Sequence, residues 1–94
     1  MDQKLTEFFE RLQGELQTST TWPSEYLFKF IVPTSKEKVE NIESLFDGLG
    51  AVLNTKRSKN EKYTSVSVSV MMETAEAVIQ KYKEASTIEG IISL

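Results

Sequence analysis

Apolar positions near the start of the chain recur at the spacing of an amphipathic helix. Five residues fall at i, i+3, i+4, i+7 and i+11 on one helical face: Leu5, Phe8, Phe9, Leu12 and Leu16. We expect Asp2 to cap this helix and the polar stretch that ends at Pro23 to be a linker. The pattern therefore predicts an N-terminal helix at residues 1–17, a linker at 18–23 and a domain at 24–94.

Strand-like and helix-like segments alternate through the rest of the chain. EYLFKFIV and KYTSVSVSVMM have the composition and alternation of strands, AVLNTKR is a weaker strand, and TIEGIISL predicts a short closing strand. The first helical stripe consists of Val39, Ile42, Leu45, Phe46 and Leu49. Thr34 and Glu37 have the spacing of a capping box before it, Gly48 and Gly50 are expected to end it, and Thr74 is expected to cap the last helix.

The predicted order is a helix followed by β-α-β-β-α-β. Two helices that each link a pair of strands, around a central hairpin, are typical of the ferredoxin-like fold. We therefore predict an α+β sandwich in which two helices cover one face of a four-stranded antiparallel sheet, with an extra N-terminal helix. The first and third strands are expected in the middle of the sheet.

Alternation in the two central strands predicts which side chains face the helices. Val66, Val68 and Val70 should point into the core. The opposite, open face should then carry Leu27, Lys29, Ile31, Tyr63, Ser65, Ser67 and Ser69.

Three uses of this open face remain open from the sequence. It could be a solvated surface, or it could be buried under the N-terminal helix or a second subunit, with Leu27, Ile31 and Met71 as the contacts. RNA binding is disfavoured, because serines cannot stack on bases and only Tyr63 could do so.

A basic turn precedes the serine-rich strand. It comprises Lys56, Arg57, Ser58, Lys59 and Lys62. Four cations against Glu61 give +3 over residues 56–62, so the remainder of a chain of net charge −3 sums to −6. Such a turn can serve solubility, or it can bind an anionic ligand or an acidic partner. Asn60 is expected to take the left-handed conformation in this turn.

Composition excludes several kinds of chemistry. The chain has neither histidine nor cysteine, which excludes His- or Cys-based zinc sites, cysteine nucleophiles and Ser-His-Asp triads. We expect a protein without catalytic residues, metal or cofactor. No apolar run approaches the length of a membrane span, and the charged start MDQKLTEFFERL differs from a secretion signal, so we expect a cytoplasmic location.

Three segments together resemble a known family. WPSEYLFKFIV, KRSKNEKYTSVSVSV and IEGIISL resemble the YbeD-like family of small bacterial proteins, in its forms with an extra N-terminal helix. The resemblance covers Trp22 to Leu94. Its most specific part is a Lys-x-Ser turn that leads into Tyr-x-Ser-Val, here Lys56, Ser58, Tyr63, Ser65 and Val66. Relatives usually carry glycine where Glu61 stands.

The resemblance implies a ferredoxin-like domain similar to the ACT regulatory domains, and no activity is carried over with it. VPTSKE stands where ACT domains usually place a glycine that admits the ligand, which argues against their standard ligand mode. We therefore expect a non-enzymatic interaction or regulatory module that recognises a protein partner through the open face and the basic turn and that self-associates, with a homodimer as the candidate form. The alternative is a sensor that binds an amino-acid-like metabolite at a dimer interface.

Overall fold

The computed structural model describes residues 3–94, which form three helices and one four-stranded sheet. The helices are α1 (Gln3–Ser19), α2 (Lys36–Leu45) and α3 (Ala75–Ala85), and the strands are β1 (Ser24–Pro33), β2 (Val52–Arg57), β3 (Tyr63–Met72) and β4 (Ile92–Ser93). The sheet is antiparallel, with the order β2-β3-β1-β4. The predicted ferredoxin-like architecture with an additional N-terminal helix is confirmed. Asp2 lies outside the described residues, and α1 continues two residues past the predicted boundary at 17.

The two central strands pair over their full length and fix which side chains are buried. Phe28 lies opposite Val68, and Phe30 lies opposite Val66, on the face covered by the helices. Val66 and Val68 are completely buried, which confirms the predicted inward direction of the valines. The alternating serines point to the other face and are only half-buried.

Aromatic rings fill the space between the sheet and the helices. The ring of Phe28 lies 4.7 Å from that of Tyr26, 5.0 Å from that of Phe46 and 5.2 Å from that of Tyr82. Burial and the 2.9 Å hydrogen bond to the Tyr26 hydroxyl hold the pKa of Tyr82 well above its usual range. The Tyr82 hydroxyl therefore stays neutral and contributes to packing.

Helix α1 packs on α3 and leaves the open face of the sheet uncovered. Phe9 is buried and stacks on Tyr82 with 6.3 Å between the ring centroids. The Trp22 indole donates a hydrogen bond to the Leu16 carbonyl at 3.2 Å, which ties the end of α1 to the start of β1. The alternative in which the N-terminal helix covers Leu27, Ile31 and Met71 is wrong. The apolar face of α1 packs instead against the ring of Tyr82 and the core residues around it.

The start of α2 differs from the prediction by one residue. Ser35 is the N-cap, and its hydroxyl accepts the Lys38 N–H at 3.2 Å. Thr34 shares a 3.0 Å hydrogen bond with the Thr64 hydroxyl. The capping box of Thr34 and Glu37 is therefore wrong, because the sheet engages the Thr34 side chain.

Two other predicted helix ends are confirmed. The Thr74 hydroxyl accepts the Ala77 N–H at 3.0 Å and caps α3. Gly48 and Gly50, which follow α2, have φ values of 77° and 72°. The chain reverses there before it enters β2.

The turn between β2 and β3 places its left-handed residue at Glu61. Asn60 was expected in this conformation, but its Oδ1 instead accepts hydrogen bonds from the Ser58 hydroxyl at 2.8 Å and the Lys62 N–H at 3.1 Å. Glu61 has φ 60°, a region that costs a residue with a Cβ about 1–2 kcal/mol. The strained position is the one at which the resembling family usually has glycine.

We expect Glu61→Gly to raise the free energy of unfolding by about 1 kcal/mol, because glycine adopts positive φ without a steric penalty. The substitution also removes the 3.8 Å ion pair with Arg57, but that pair is exposed and contributes little. Glu61→Ala is the matched control, since it removes the ion pair and keeps the Cβ. Urea denaturation that finds both variants equally stable would contradict this account of the turn.

Candidate interaction face

The open face of the sheet concentrates exposed apolar side chains. We define the open face as the side of the sheet opposite the helices. Eight large hydrophobic side chains are exposed among residues 3–94, and five of them lie on this face: Leu27, Val52, Tyr63, Met71 and Ile92. Exposed large apolar side chains concentrated on one face are typical of interaction sites.

Strand register arranges the open face in rows. One row runs Lys56, Ser65, Ile31 and Ile92; the next runs Asn54, Ser67 and Lys29; a third runs Val52, Ser69 and Leu27. Apolar groups thus lie toward both ends of the face, and polar groups cross its middle. All seven predicted open-face residues are on this side of the sheet.

The cationic side chains of the basic turn do not all lie on the same side of the sheet. Lys56 lies opposite Ser65 and belongs to the open face. Arg57 lies opposite the buried Thr64, its guanidinium is 3.8 Å from the Glu61 carboxylate, and it borders depressions on both sides of the sheet. Lys59 and Lys62 are exposed in the loop. The predicted cluster is therefore spread around the sheet edge: Lys56 lies on the open face, Arg57 reaches both sides, and the other two lysines lie in the loop.

The Ser58 hydroxyl has a structural task in this turn. It donates to Asn60 Oδ1 and accepts the Tyr63 N–H at 3.2 Å. These bonds hold the loop against the start of β3 and fix Tyr63 beside Lys56.

A small depression forms where the basic turn meets the open face. Its volume is about 170 Å³, and it is lined by Ile31, Lys56, Arg57, Ser58, Tyr63 and Ser65. The Ser65 hydroxyl donates to the Lys56 carbonyl at 3.3 Å. The depression therefore combines an apolar floor with cationic side chains at its rim, an arrangement suited to a small apolar group next to a carboxylate.

A larger cleft of about 520 Å³ lies between α2 and the end of α3. Its walls carry Lys38 together with Glu37, Glu84 and Glu89. None of the predicted site residues lines this cleft. Among residues 3–94, no group of three or more acidic side chains is positioned to hold a metal ion.

Comparison with protein families gives a match over most of the fold. A family model described as a protein of unknown function (DUF493) matches residues 17–94. The chain belongs to the DUF493 family. The matched part of this DUF493 protein contains all four strands, α2, α3 and the end of α1. No curated protein matches the chain at a significant level. Within residues 3–94, no helix is both long and apolar enough to cross a membrane.

Sequence reasoning missed two apolar residues of the open face in this DUF493 protein. Val52 and Ile92 belong to the edge strands, where the alternation is short and weak. The pairing of Val52 with Ser69 and of Ile92 with Ile31 shows that both side chains lie on the open face of the sheet. Counting back from the turn at 58–61 would have assigned Val52 to the same face as the serines.

Proposed function

We propose that this DUF493 protein is a non-enzymatic recognition module that binds an acidic, partly apolar segment of a protein partner on its open face. The observation that carries the proposal is the set of five exposed large apolar side chains on that one face. Exposed apolar area provides the binding energy, and the cations beside it give specificity for an acidic partner.

Tyr63 is the anchor in this proposal. Its side chain is 48% exposed at the depression, and tyrosine provides a large contact area at a low cost in conformational entropy. Lys56 and Lys29 lie on the same face as Tyr63. A carboxylate of the partner near these lysines would gain charge-assisted hydrogen bonds.

The family match supports a narrower assignment. It covers the whole of the segment Trp22–Leu94 that resembles the YbeD-like proteins, and we take the two families to be the same. The likeness to ACT regulatory domains concerns the fold alone, so it supports a regulatory role only by analogy.

We expect Lys56→Glu to reduce capture of the partner several-fold, because it replaces attraction by repulsion at the depression. Lys36→Glu is the matched control, since Lys36 is 91% exposed on α2 and its replacement changes the net charge equally. Tagged variants are compared in pull-downs from the source cells with quantitative mass spectrometry. Equal capture by the two variants would contradict the proposal.

Photo-crosslinking locates the contact independently of charge. A photoreactive residue in place of Ser67 should crosslink the captured protein, whereas the same residue in place of Glu76, which is exposed on α3, should not. Crosslinks that form only from the α3 position would place the contact on the helices and overturn the proposal.

A further inference from the structure

Strand β1 has one edge fully paired and the other edge half empty. On the β3 side, every residue from Ser24 to Pro33 has a partner. On the β4 side, only Phe30 and Ile31 are paired with strand residues, and the Leu94 N–H donates to the Lys29 carbonyl at 2.9 Å. The first half of β1 is therefore a sheet edge, although β1 is a central strand.

The bond from Leu94 shows which groups this edge presents. Since the Lys29 carbonyl points toward β4, the backbone groups of the odd-numbered residues before it point the same way. The Leu27 N–H, the Leu27 carbonyl and the Glu25 N–H have no backbone partner among residues 3–94, and the Glu25 carbonyl accepts only the Ser24 hydroxyl at 3.3 Å. An unpaired row of this kind is a template for another strand.

We propose that residues 24–28 of β1 accept an extended peptide segment that runs antiparallel to β1, in line with β4. The free length is about 17 Å at ~3.4 Å per residue, which suits a strand of five residues. Backbone hydrogen bonds would supply the affinity, as in other cases of strand addition.

Neighbouring side chains define the chemistry of the segment. Leu27 is 53% exposed on the open face, so a branched apolar residue opposite it would bury apolar area on both strands. The Glu25 carboxylate lies two residues away on the same face. One of its oxygens accepts the Ser69 hydroxyl at 3.3 Å, and its negative charge favours a basic residue opposite it on the other side. The segment thus alternates polar residues with one apolar and one basic residue on the open face.

A second copy of this chain fits the edge poorly. If two β1 edges paired antiparallel over residues 24–28, Pro23 of one copy would lie opposite Lys29 of the other. That position is already taken by Leu94. A peptide without these flanking elements meets no such obstacle.

The proposed strand site does not rest on the binding of an acidic segment at Lys56. Leu27 and Glu25 lie toward the opposite end of the open face from Lys56, two and three rows away. Loss of partner capture in Lys56→Glu would therefore leave strand addition unaffected, and the two proposals can fail separately.

The test uses the full chain with a probe segment attached. Thr-Val-Thr-Lys-Thr is appended after Leu94, so that valine falls opposite Leu27 and lysine opposite Glu25. We expect hydrogen exchange at the Leu27 and Glu25 amides, followed by NMR, to slow at least tenfold relative to a chain that carries Gly-Ser-Gly-Ser-Gly. The Tyr26 and Phe28 amides, which point toward β3, are the internal reference.

Two variants separate backbone pairing from side-chain contact. Leu27→Pro removes the outward donor and leaves the bonds to β3 in place, whereas Leu27→Ala removes only the side chain. With the Thr-Val-Thr-Lys-Thr extension, protection of the Glu25 amide should persist in Leu27→Ala and fall at least fivefold in Leu27→Pro. Equal exchange at Leu27 with both extensions, measured on the unsubstituted chain, would overturn the proposal. Protection that depends on protein concentration would also overturn it, because it would show that two copies pair at this edge.

Discussion

Replacing Phe28 by alanine is expected to lower the free energy of unfolding by about 3–5 kcal/mol. The Phe28 side chain is completely buried, and its ring packs against those of Tyr26, Phe46 and Tyr82. Its loss leaves a cavity bordered by both layers of the fold, which the rigid rings around it cannot fill. Urea denaturation measured by circular dichroism gives the change in stability, with the slope of the transition as a check on two-state behaviour.

The neighbouring residue provides the control for this experiment. Leu27→Ala removes a side chain of similar apolar character one position away, on the open face. Because the Leu27 side chain is 53% exposed, we expect a loss of about 1 kcal/mol or less. Comparable losses in the two variants would mean that Leu27 is buried in solution, by a second subunit or by another part of the chain.

Gly90→Ala is expected to lower the free energy of unfolding by about 1–3 kcal/mol from the backbone conformation alone. Gly90 has φ 79°, and a Cβ at this position would lie 2.8 Å from Cγ of Pro33. The proline ring closes β1 and has little freedom to move, so the contact adds to the strain. Since Gly90 precedes β4, hydrogen exchange at the Ile92 amide should accelerate together with the loss of stability.

Gly14→Ala makes the same chemical change with the opposite expected sign. Gly14 lies within α1, and a Cβ there would meet nothing within 4 Å. Alanine should therefore raise the free energy of unfolding by roughly 0.5–1 kcal/mol through its higher helix propensity. If Gly90→Ala matched Gly14→Ala in sign, the close approach of Pro33 would have no energetic importance.

The sheet could be predicted from the sequence because its two central strands alternate strongly. In VSVSV, the valines must face the core and the serines the open side. The strand register then fixes which side chains of the neighbouring strands face each side. The direction of α1 could not be predicted in this way. Its apolar stripe is compatible with either side of the sheet, and the choice depends on the aromatic surface around Tyr82, which exists only after the core has assembled.

The local errors have a common physical origin. Thr34 and Ser35 are both good caps, and the hydrogen bond between Thr34 and Thr64 decides between them. Asn60 and Glu61 are adjacent. Two hydrogen bonds hold the Asn60 side chain within the turn, and Glu61 adopts the left-handed conformation instead. In each case a neighbour in space overrides local propensity.

The candidate site was predicted in part. The sequence indicated its residues but treated the basic turn as one cluster, because strand parity was not applied to Lys56 and Arg57. These adjacent residues lie opposite Ser65 and Thr64, so the pleat directs Lys56 to the open face, whereas Arg57 borders depressions on both sides of the sheet. The apolar contributions of Val52 and Ile92 required the pairing of the edge strands.

The two-sided character of the central strands has a consequence for how such a protein can diversify. Core residues and open-face residues occupy alternating positions, so a codon change at an odd-numbered position of β1 or β3 alters the open face, whereas a change at its even-numbered neighbour alters the core. Natural variation can therefore change the chemistry of the open face while the scaffold stays intact. A library restricted to Lys29, Ser65 and Ser67 would exploit the same separation in the laboratory.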